Sequence, residues 1–153
     1  MKGDPQFMRI QWLVAVGVLA FASLAAAQES KAVPSLKVKL NYKGDGTVDA
    51  KHKIFIFVFD TPDFMQGNGM PVASDSATAK DQTVTFSGLT APVVYVVAAF
   101  DPSGTYDGVS GPPPAGSSMG MYSKEPGKPA PVNLESGKTA EIELAFDDSV
   151  KMQ

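Results

Sequence analysis

One apolar run, Val93–Phe100, constrains the fold of this chain more than any other stretch, because a strand with this sequence is apolar on both faces. It lies within TVTFSGLTAPVVYVVAAFD (residues 83–101), where an alternating run of β-branched and aromatic residues and a turn containing Gly and Pro come first. Turn residues between two such runs are typical of a hairpin. The segment therefore predicts a buried β-hairpin at the centre of the domain.

A second run, IFIFVF (residues 54–59), is also apolar without alternation. Successive side chains of a strand point to opposite faces, so Ile54, Ile56 and Val58 cannot share a face with the three phenylalanines. One set therefore needs a cover outside the core. The Gly- and Pro-rich stretch 101–122 is the predicted cover, and an exposed recognition patch for a partner is the alternative. The candidate contact residues of this stretch are Tyr106, Val109, Met119, Met121 and Tyr122.

The remaining sequence after residue 27 shows strand patterns and no helical periodicity. Ser35–Tyr42 and Thr139–Phe146 alternate apolar and polar residues, which predicts strands with one solvated face. Residues 72–80 predict an edge strand or an irregular crossing, and residues 130–134 predict a last hairpin with Thr139–Phe146.

These elements predict an all-β fold, a single Greek-key β-sandwich of about seven strands. Strands separated by turn signals, in a chain rich in Gly and Pro, are typical of two packed sheets. The predicted layout is a short tether (28–34), the β-sandwich domain (35–148) and a tail (149–153).

The first 27 residues have the layout of a secretory signal peptide. Lys2 and Arg9 precede an apolar core at residues 12–24, and three alanines follow where a signal peptidase would cut. Met8 is an alternative start, because the stretch after it is a complete signal by itself. An uncleaved anchor helix is the other interpretation, although the apolar stretch is short for a membrane span. We expect cleavage, a periplasmic or secreted bacterial protein, and no membrane association afterwards.

Charge and cysteine content exclude several classes of protein. Without residues 1–27 the chain has 11 lysines, no arginine and 15 acidic residues. A mildly acidic chain without arginine has no obvious phosphate-binding surface, so a nucleic-acid partner is not expected. The absence of cysteine excludes disulfides and thiolate metal sites.

Two groups of residues have the chemistry of metal ligands. Asp101 and Asp107, with Ser103 and Thr105 between them, place oxygen atoms as calcium would require, although the EF-hand pattern is not met. Turns closed by aspartate and serine side chains are the expected interpretation. A set of methionines offers soft ligands for Cu(I), with packing against apolar surfaces as the expected alternative. These are Met119, Met121, Met65 and Met70.

Catalytic residues are not predicted. The only histidine, His52, stands between two lysines at the start of a strand, and no cysteine is available as a nucleophile. Asp60 and Asp63 follow a strand, where acidic residues form turns more often than a pair for glycoside hydrolysis. We therefore expect a protein that is not an enzyme.

Several segments together resemble a known class of domain: IFIFVFDTPDF, TFSGL, VVYVVAAFD, GMY, PAPVNLESGKT and EIELAFDDS. They are similar to exported bacterial β-sandwich domains related to carboxypeptidase-regulatory-like (prealbumin-like) modules, and to an uncharacterised domain family of similar strand order. The resemblance implies the fold, secretion and an accessory or recognition role, and it carries no catalytic residues. Related domains place several Asp and Asn residues in the loop where this chain has Asp101 and Asp107.

The prediction for function is a secreted or periplasmic, non-enzymatic accessory or binding module with a protein or carbohydrate partner. No cofactor is predicted, and calcium is the one ion that the loop pattern leaves open. The alternative is a metal-handling protein, either calcium-stabilised or copper-binding through methionine.

Overall fold

The structure is a computed structural model that describes residues 32–153. The predicted signal peptide (1–27) and the first part of the tether lie outside the described residues. None of the helical structure between residues 32 and 153 is long and apolar enough to cross a membrane. The elements are β1 (Ser35–Tyr42), β2 (Ile54–Phe59), a 3-10 helix (Pro62–Gln66), β3 (Ala73–Ala77), β4 (Thr83–Ser87), β5 (Val93–Phe100), β6 (Ser118–Met121), β7 (Val132–Asn133) and β8 (Thr139–Phe146).

Two sheets contain these strands. The three-stranded sheet has the order β4-β1-β8, with β4 antiparallel and β8 parallel to β1. The five-stranded sheet has the antiparallel order β3-β2-β5-β6, and the two-residue β7 pairs with the start of β5. The prediction of an all-β fold is confirmed.

Both sheets contribute to one apolar core. In β1, Leu36, Val38 and Leu40 are fully buried, whereas the two lysines between them are exposed. Ile56 of β2 and Val96 of β5 belong to the same buried cluster. Since side chains alternate along a strand, the inner face of each sheet collects every second residue, and the residues between them form an outer face.

The predicted hairpin over residues 83–101 is wrong. β4 pairs with β1, whereas β5 pairs with β2 in the other sheet. The segment between them crosses from one sheet to the other, with Gly88 at a φ of 77° and Leu89 buried in the core. Glycine and proline indicate a change of direction, but they do not specify which sheet receives the next strand.

The predicted last hairpin is also wrong. β7 pairs with β5, whereas β8 runs parallel to β1 in the other sheet. Leu144 of β8 is buried, and it lies in register with the buried Leu40 of β1. Burial of one face of β8 against the shared core therefore decides its partner, and a short turn does not force it to pair with the preceding strand.

Residues 149–153, predicted as a tail, run beside the start of β6. The Met119 N–H donates to the Val150 carbonyl at 2.9 Å, and the Met152 N–H donates to the Ser117 carbonyl at 2.8 Å. The Gly116 N–H donates in turn to the Met152 carbonyl at 2.8 Å. These backbone hydrogen bonds fix the C-terminal residues along the edge of the five-stranded sheet.

The carboxylate of Asp148 joins the ends of three elements. It accepts hydrogen bonds from the Tyr42 hydroxyl at 2.6 Å, the Asp45 N–H at 2.9 Å and the Ser118 hydroxyl at 2.5 Å. The hydrogen bonds from Ser118 and Tyr42 hold the pKa of Asp148 well below its usual value. Burial of the Tyr42 ring, together with its hydrogen bond to Asp148, raises the pKa of Tyr42 to about 12.

Tyr42 makes the stability of the fold depend on pH in the alkaline range. Its pKa is about 10 in an unfolded chain and about 12 in the folded protein. The stabilisation is therefore fully present below about pH 10 and is lost as the pH rises towards 12, a difference of about 2 to 3 kcal/mol. We expect urea unfolding at several pH values to show a steeper alkaline loss of unfolding free energy in wild type than in Tyr42→Phe. Equal slopes for the two proteins would contradict this assignment.

Candidate binding surface on the five-stranded sheet

The outer face of the five-stranded sheet is apolar across β2, β5 and β6, whereas the edge strand β3 carries Ser74 and Ser76 on this face. Three rows of side chains cross it in register: Phe55, Ala99 and Met119; Phe57, Val97 and Met121; and Phe59 with Tyr95. Ala99 is fully buried, and Phe57 and Val97 are each 7% exposed. Within residues 32–153 the two sheets pack against each other through their inner faces, and no third sheet is present to cover this outer face. Two loops provide the cover that these side chains need.

The loop between β5 and β6 (residues 101–117, here the β5–β6 loop) places Tyr106 on the middle of this face. The Tyr106 ring lies edge-on to Phe55 with 5.0 Å between ring centroids, and its centroid is 6.4 Å from that of Phe57. Gly108 has a φ of 81°, and a Cβ built there would lie 2.5 Å from Cδ1 of Phe55. The close approach of the loop to β2 therefore requires glycine at this position.

The connection between β2 and β3 (residues 60–72, here the β2–β3 loop) covers the end of the same face with Phe64. Its ring stacks on Phe59 with 4.7 Å between centroids. Phe64 lies in the 3-10 helix, where the Thr61 hydroxyl accepts a hydrogen bond from the Asp63 N–H and Pro62 occupies the first turn. This capping fixes the position of Phe64 on β2.

Asp101 holds the β5–β6 loop in place. Its side chain is buried, and its carboxylate accepts N–H hydrogen bonds from Ser103, Thr105 and Tyr106 at 2.8, 2.9 and 2.9 Å. Burial opposes the ionisation of Asp101, but the hydrogen bonds from these three residues outweigh it and lower its pKa. The carboxylate therefore fixes the backbone that carries the Tyr106 ring.

Asp107 closes a second turn of the same loop. Its carboxylate accepts hydrogen bonds from the Val109 N–H at 2.9 Å and from the N–H and hydroxyl of Ser110 at 2.8 and 2.5 Å. Hydrogen bonds from Ser110 and Val109 lower the pKa of Asp107 to about 2. Among residues 32–153, no three His, Cys, Asp or Glu side chains are grouped to hold a metal ion. Turn formation accounts for the positions of Asp101 and Asp107.

We expect calcium to leave the thermal stability of the domain unchanged. Asp101 and Asp107 accept hydrogen bonds from backbone N–H groups, and a cation at the same oxygens would compete with those donors for the carboxylate lone pairs. The measurement is the melting temperature with millimolar calcium and with EDTA. A higher melting temperature in calcium that EDTA reverses would instead support the calcium interpretation.

The structure separates the methionines that were considered as copper ligands. Met119 and Met121 lie on β6 and are half-buried, so the irregular stretch is shorter than predicted. Met65 and Met70 lie in the β2–β3 loop, and β5 stands between β2 and β6. Tyr122, the last predicted contact residue, packs against the core.

Exposed apolar side chains concentrate on the two cover loops. Met65, Met70 and Val72 of the β2–β3 loop are 58%, 84% and 48% exposed, and Val109 of the β5–β6 loop is 79% exposed. They are four of the six large hydrophobic side chains that are exposed in the described chain; the other two are Val33 and Val150. Together these four residues, with Tyr106, define what we call the loop surface.

His52 has a structural environment at the start of β2. Asp49 accepts hydrogen bonds from the N–H groups of Lys51 and His52, and its carboxylate lies 3.0 Å from Nδ1 of His52. These backbone hydrogen bonds lower the pKa of Asp49. The imidazole also stands close to Gly104, where a Cβ would lie 2.8 Å from the ring. His52 therefore helps to position the β5–β6 loop.

Among the residues of this surface, sequence reasoning identified Tyr106 and Val109 as contacts but did not identify Phe64. The sequence signal that could have identified Phe64 was an aromatic residue in a Gly- and Pro-rich loop soon after an apolar strand.

No protein family, curated protein or solved structure matches the chain. The resemblance to carboxypeptidase-regulatory-like domains stays a prediction, and the candidate surface is defined by the geometry of this chain.

Proposed function

We propose that this chain is an exported, non-enzymatic accessory module of Greek-key β-sandwich type that binds a protein or carbohydrate partner through its loop surface. The observation that carries the proposal is that four of the six large exposed apolar side chains in the described chain lie on the two loops whose aromatic rings cover the outer face of the five-stranded sheet. Exposed apolar residues scattered singly are ordinary, whereas a concentrated group is typical of an interaction site.

Both loops are anchored, which supports binding at low entropic cost. Phe64 stacks on Phe59, and Tyr106 rests on Phe55 while its hydroxyl donates to the Gly111 carbonyl at 2.8 Å. A loop that is already ordered loses little conformational freedom when a partner binds. The flexible side chains of Met65 and Met70 can adapt to the shape of an apolar partner surface.

A small cleft in the β5–β6 loop adds polar groups to this surface. Its volume is about 230 Å³, and it combines the Tyr106 ring with the ring of Pro112 and the polar side chains of Thr105 and Asp107. An aromatic ring beside hydroxyl and carboxylate groups is suited to a sugar ring or to a peptide with a polar end. The proposal therefore includes carbohydrate and protein partners.

The test uses the methionine methyl groups as reporters. Protein labelled with ¹³C-methyl methionine is titrated with soluble cell-wall oligosaccharides and with a panel of apolar peptides, and the methyl signals are followed by NMR. We expect at least one probe to shift the signals of Met65 and Met70 and to leave that of Met152 unchanged, because Met152 pairs with Gly116 and Ser117, where the β5–β6 loop joins β6, and not with the part of that loop that carries Tyr106 and Val109.

Tyr106→Ser and Val109→Ser are the matched variants for this titration. Loss of the aromatic ring or of the exposed valine is expected to weaken the affinity for the responding probe by about tenfold. The proposal fails if no probe shifts Met65 or Met70, or if Met152 responds as strongly as they do. It also fails if both variants bind the probe like wild type.

A further inference from the structure

The outer edge of β8 presents a row of backbone hydrogen-bonding groups. Within residues 32–153, β8 pairs with β1 alone. The Ser35 N–H donates to the Lys138 carbonyl at 3.0 Å, and the Lys43 N–H donates to the Phe146 carbonyl at 2.8 Å. In a parallel ladder, these two bonds mean that the backbone N–H and C=O groups of the even-numbered residues of β8 point towards β1. The residues of β8 whose N–H and C=O groups point away from β1 are Thr139, Glu141, Glu143 and Ala145.

The side chains along this edge are acidic on the solvent face. Glu141 accepts a hydrogen bond from Lys37 of β1 at 3.3 Å, and Glu143 accepts one from Asn41 at 3.0 Å. The Glu141 side chain is 68% exposed. The sheet thus places lysine on β1 beside glutamate on β8, and a further strand would place its own side chains beside the glutamates.

The inner face of β8 is incompletely buried at the same edge. Ala140 and Ile142 are half-buried, whereas Leu36 and Val38, their partners in register on β1, are fully buried. The difference follows from position, because β1 has a strand on each side and β8 has one. A strand added beyond β8 would cover Ile142 if its own inner residues were apolar.

We propose that β8 is a docking edge for an extended segment of a partner protein in which basic residues alternate with apolar ones. The backbone groups of Glu141 and Glu143 supply the ladder hydrogen bonds, the two carboxylates select lysine or arginine on the solvent face, and Ile142 selects apolar residues on the inner face. This inference does not depend on the loop surface, which lies on the other sheet.

The same carboxylates disfavour a second copy of this chain as the occupant. In an antiparallel β8–β8 pair centred on Ile142, Glu141 of one copy would stand opposite Glu143 of the other. Like charges directly opposite each other destabilise a strand pair, and charged side chains on edge strands are a common protection against self-association. A basic partner strand meets no such repulsion.

The test compares two peptides of equal length, one alternating lysine with valine and one alternating glutamate with valine. Binding to the mature protein is measured by ¹⁵N NMR, together with the exchange rates of the Glu141 and Glu143 amide protons. We expect the lysine peptide to slow both exchange rates and to bind about tenfold tighter than the glutamate peptide at low salt. Raising the salt concentration is expected to reduce this preference.

Glu141→Lys combined with Glu143→Lys is expected to reverse the preference between the two peptides. Glu135→Lys changes the same charge in the turn before β8 and is expected to leave the preference unchanged. If the double lysine variant does not fold, Glu141→Gln with Glu143→Gln keeps the side-chain shape and is expected to abolish the preference. Equal binding of both peptides, unprotected edge amides, or a dimer formed through β8 would overturn the proposal.

Discussion

Replacing Val96 by aspartate is expected to prevent the domain from folding. Val96 lies in β5, the strand between β2 and β6, and it is 1% exposed in the core that both sheets share. A carboxylate at this position would lose its hydration without gaining a partner, at a cost of more than about 4 kcal/mol. A loss of this size is comparable with the whole stability of a small domain. We expect no soluble, folded Val96→Asp protein.

Val109→Asp is the matched control, because it makes the same chemical change at a side chain that is 79% exposed. A charge in water at that position is expected to change the free energy of unfolding by about 0.5 kcal/mol or less. Soluble yield, circular dichroism and the melting temperature compare the two variants. A Val96→Asp protein with the yield and melting temperature of wild type would show that β5 is not the centre of the core.

Asp101→Ala is expected to destabilise the domain by about 2 to 4 kcal/mol and to release the β5–β6 loop. The substitution removes the acceptor of three N–H groups, those of Ser103, Thr105 and Tyr106. Without this acceptor the loop has to open to hydrate its backbone, and the Tyr106 ring then leaves Phe55. Urea unfolding measures the loss of stability, and increased binding of a hydrophobic dye reports the uncovered sheet.

Asp107→Ala is the control for this prediction, since Asp107 also closes a turn through backbone N–H groups but is exposed. Its loss is expected to cost about 1 kcal/mol or less and to leave dye binding near the wild-type level. Asp101→Ala and Asp107→Ala with the same stability and dye binding would show that burial of Asp101 does not matter to the cover. In that case the Tyr106 ring would cover the sheet without help from Asp101, and Tyr106→Ser alone is expected to increase dye binding.

The double-faced apolar strands show how far sequence reasoning reached. The run from Ile54 to Phe59 indicated that one set of its side chains needs a second cover, and Tyr106 was among the residues expected to supply it. The structure places Tyr106 on Phe55 and adds Phe64, which sequence reasoning did not identify, on Phe59. An aromatic residue in a loop carries no periodic signal, so its contact depends on where the loop folds back.

The pairing of strands was beyond the reach of local patterns. In each of the two predicted hairpins, the strands lie in different sheets. β4 pairs with one side of β1, and β8 pairs with the other side. Turn residues set where a strand ends, and the shared core decides which strands meet, since Leu36 and Val38 are covered completely only with neighbours on both sides. The free edge of β8 follows from this arrangement.

The sequence by itself determined the all-β class, the alternation that separates inner from outer residues, and the need for a cover over β2, because these depend on the chemistry of neighbouring residues. Only the tertiary structure decided the sheet order, the burial of Asp101 beneath its own loop, the exposure of Met65, Met70 and Val109 on the two cover loops, and the glutamates at an open edge. The sheet order joins residues far apart in the chain, whereas Asp101 bonds to residues two to five positions later, and its burial depends on where its loop folds back. Their positions follow from the packing of the shared core, and local sequence patterns do not encode that packing.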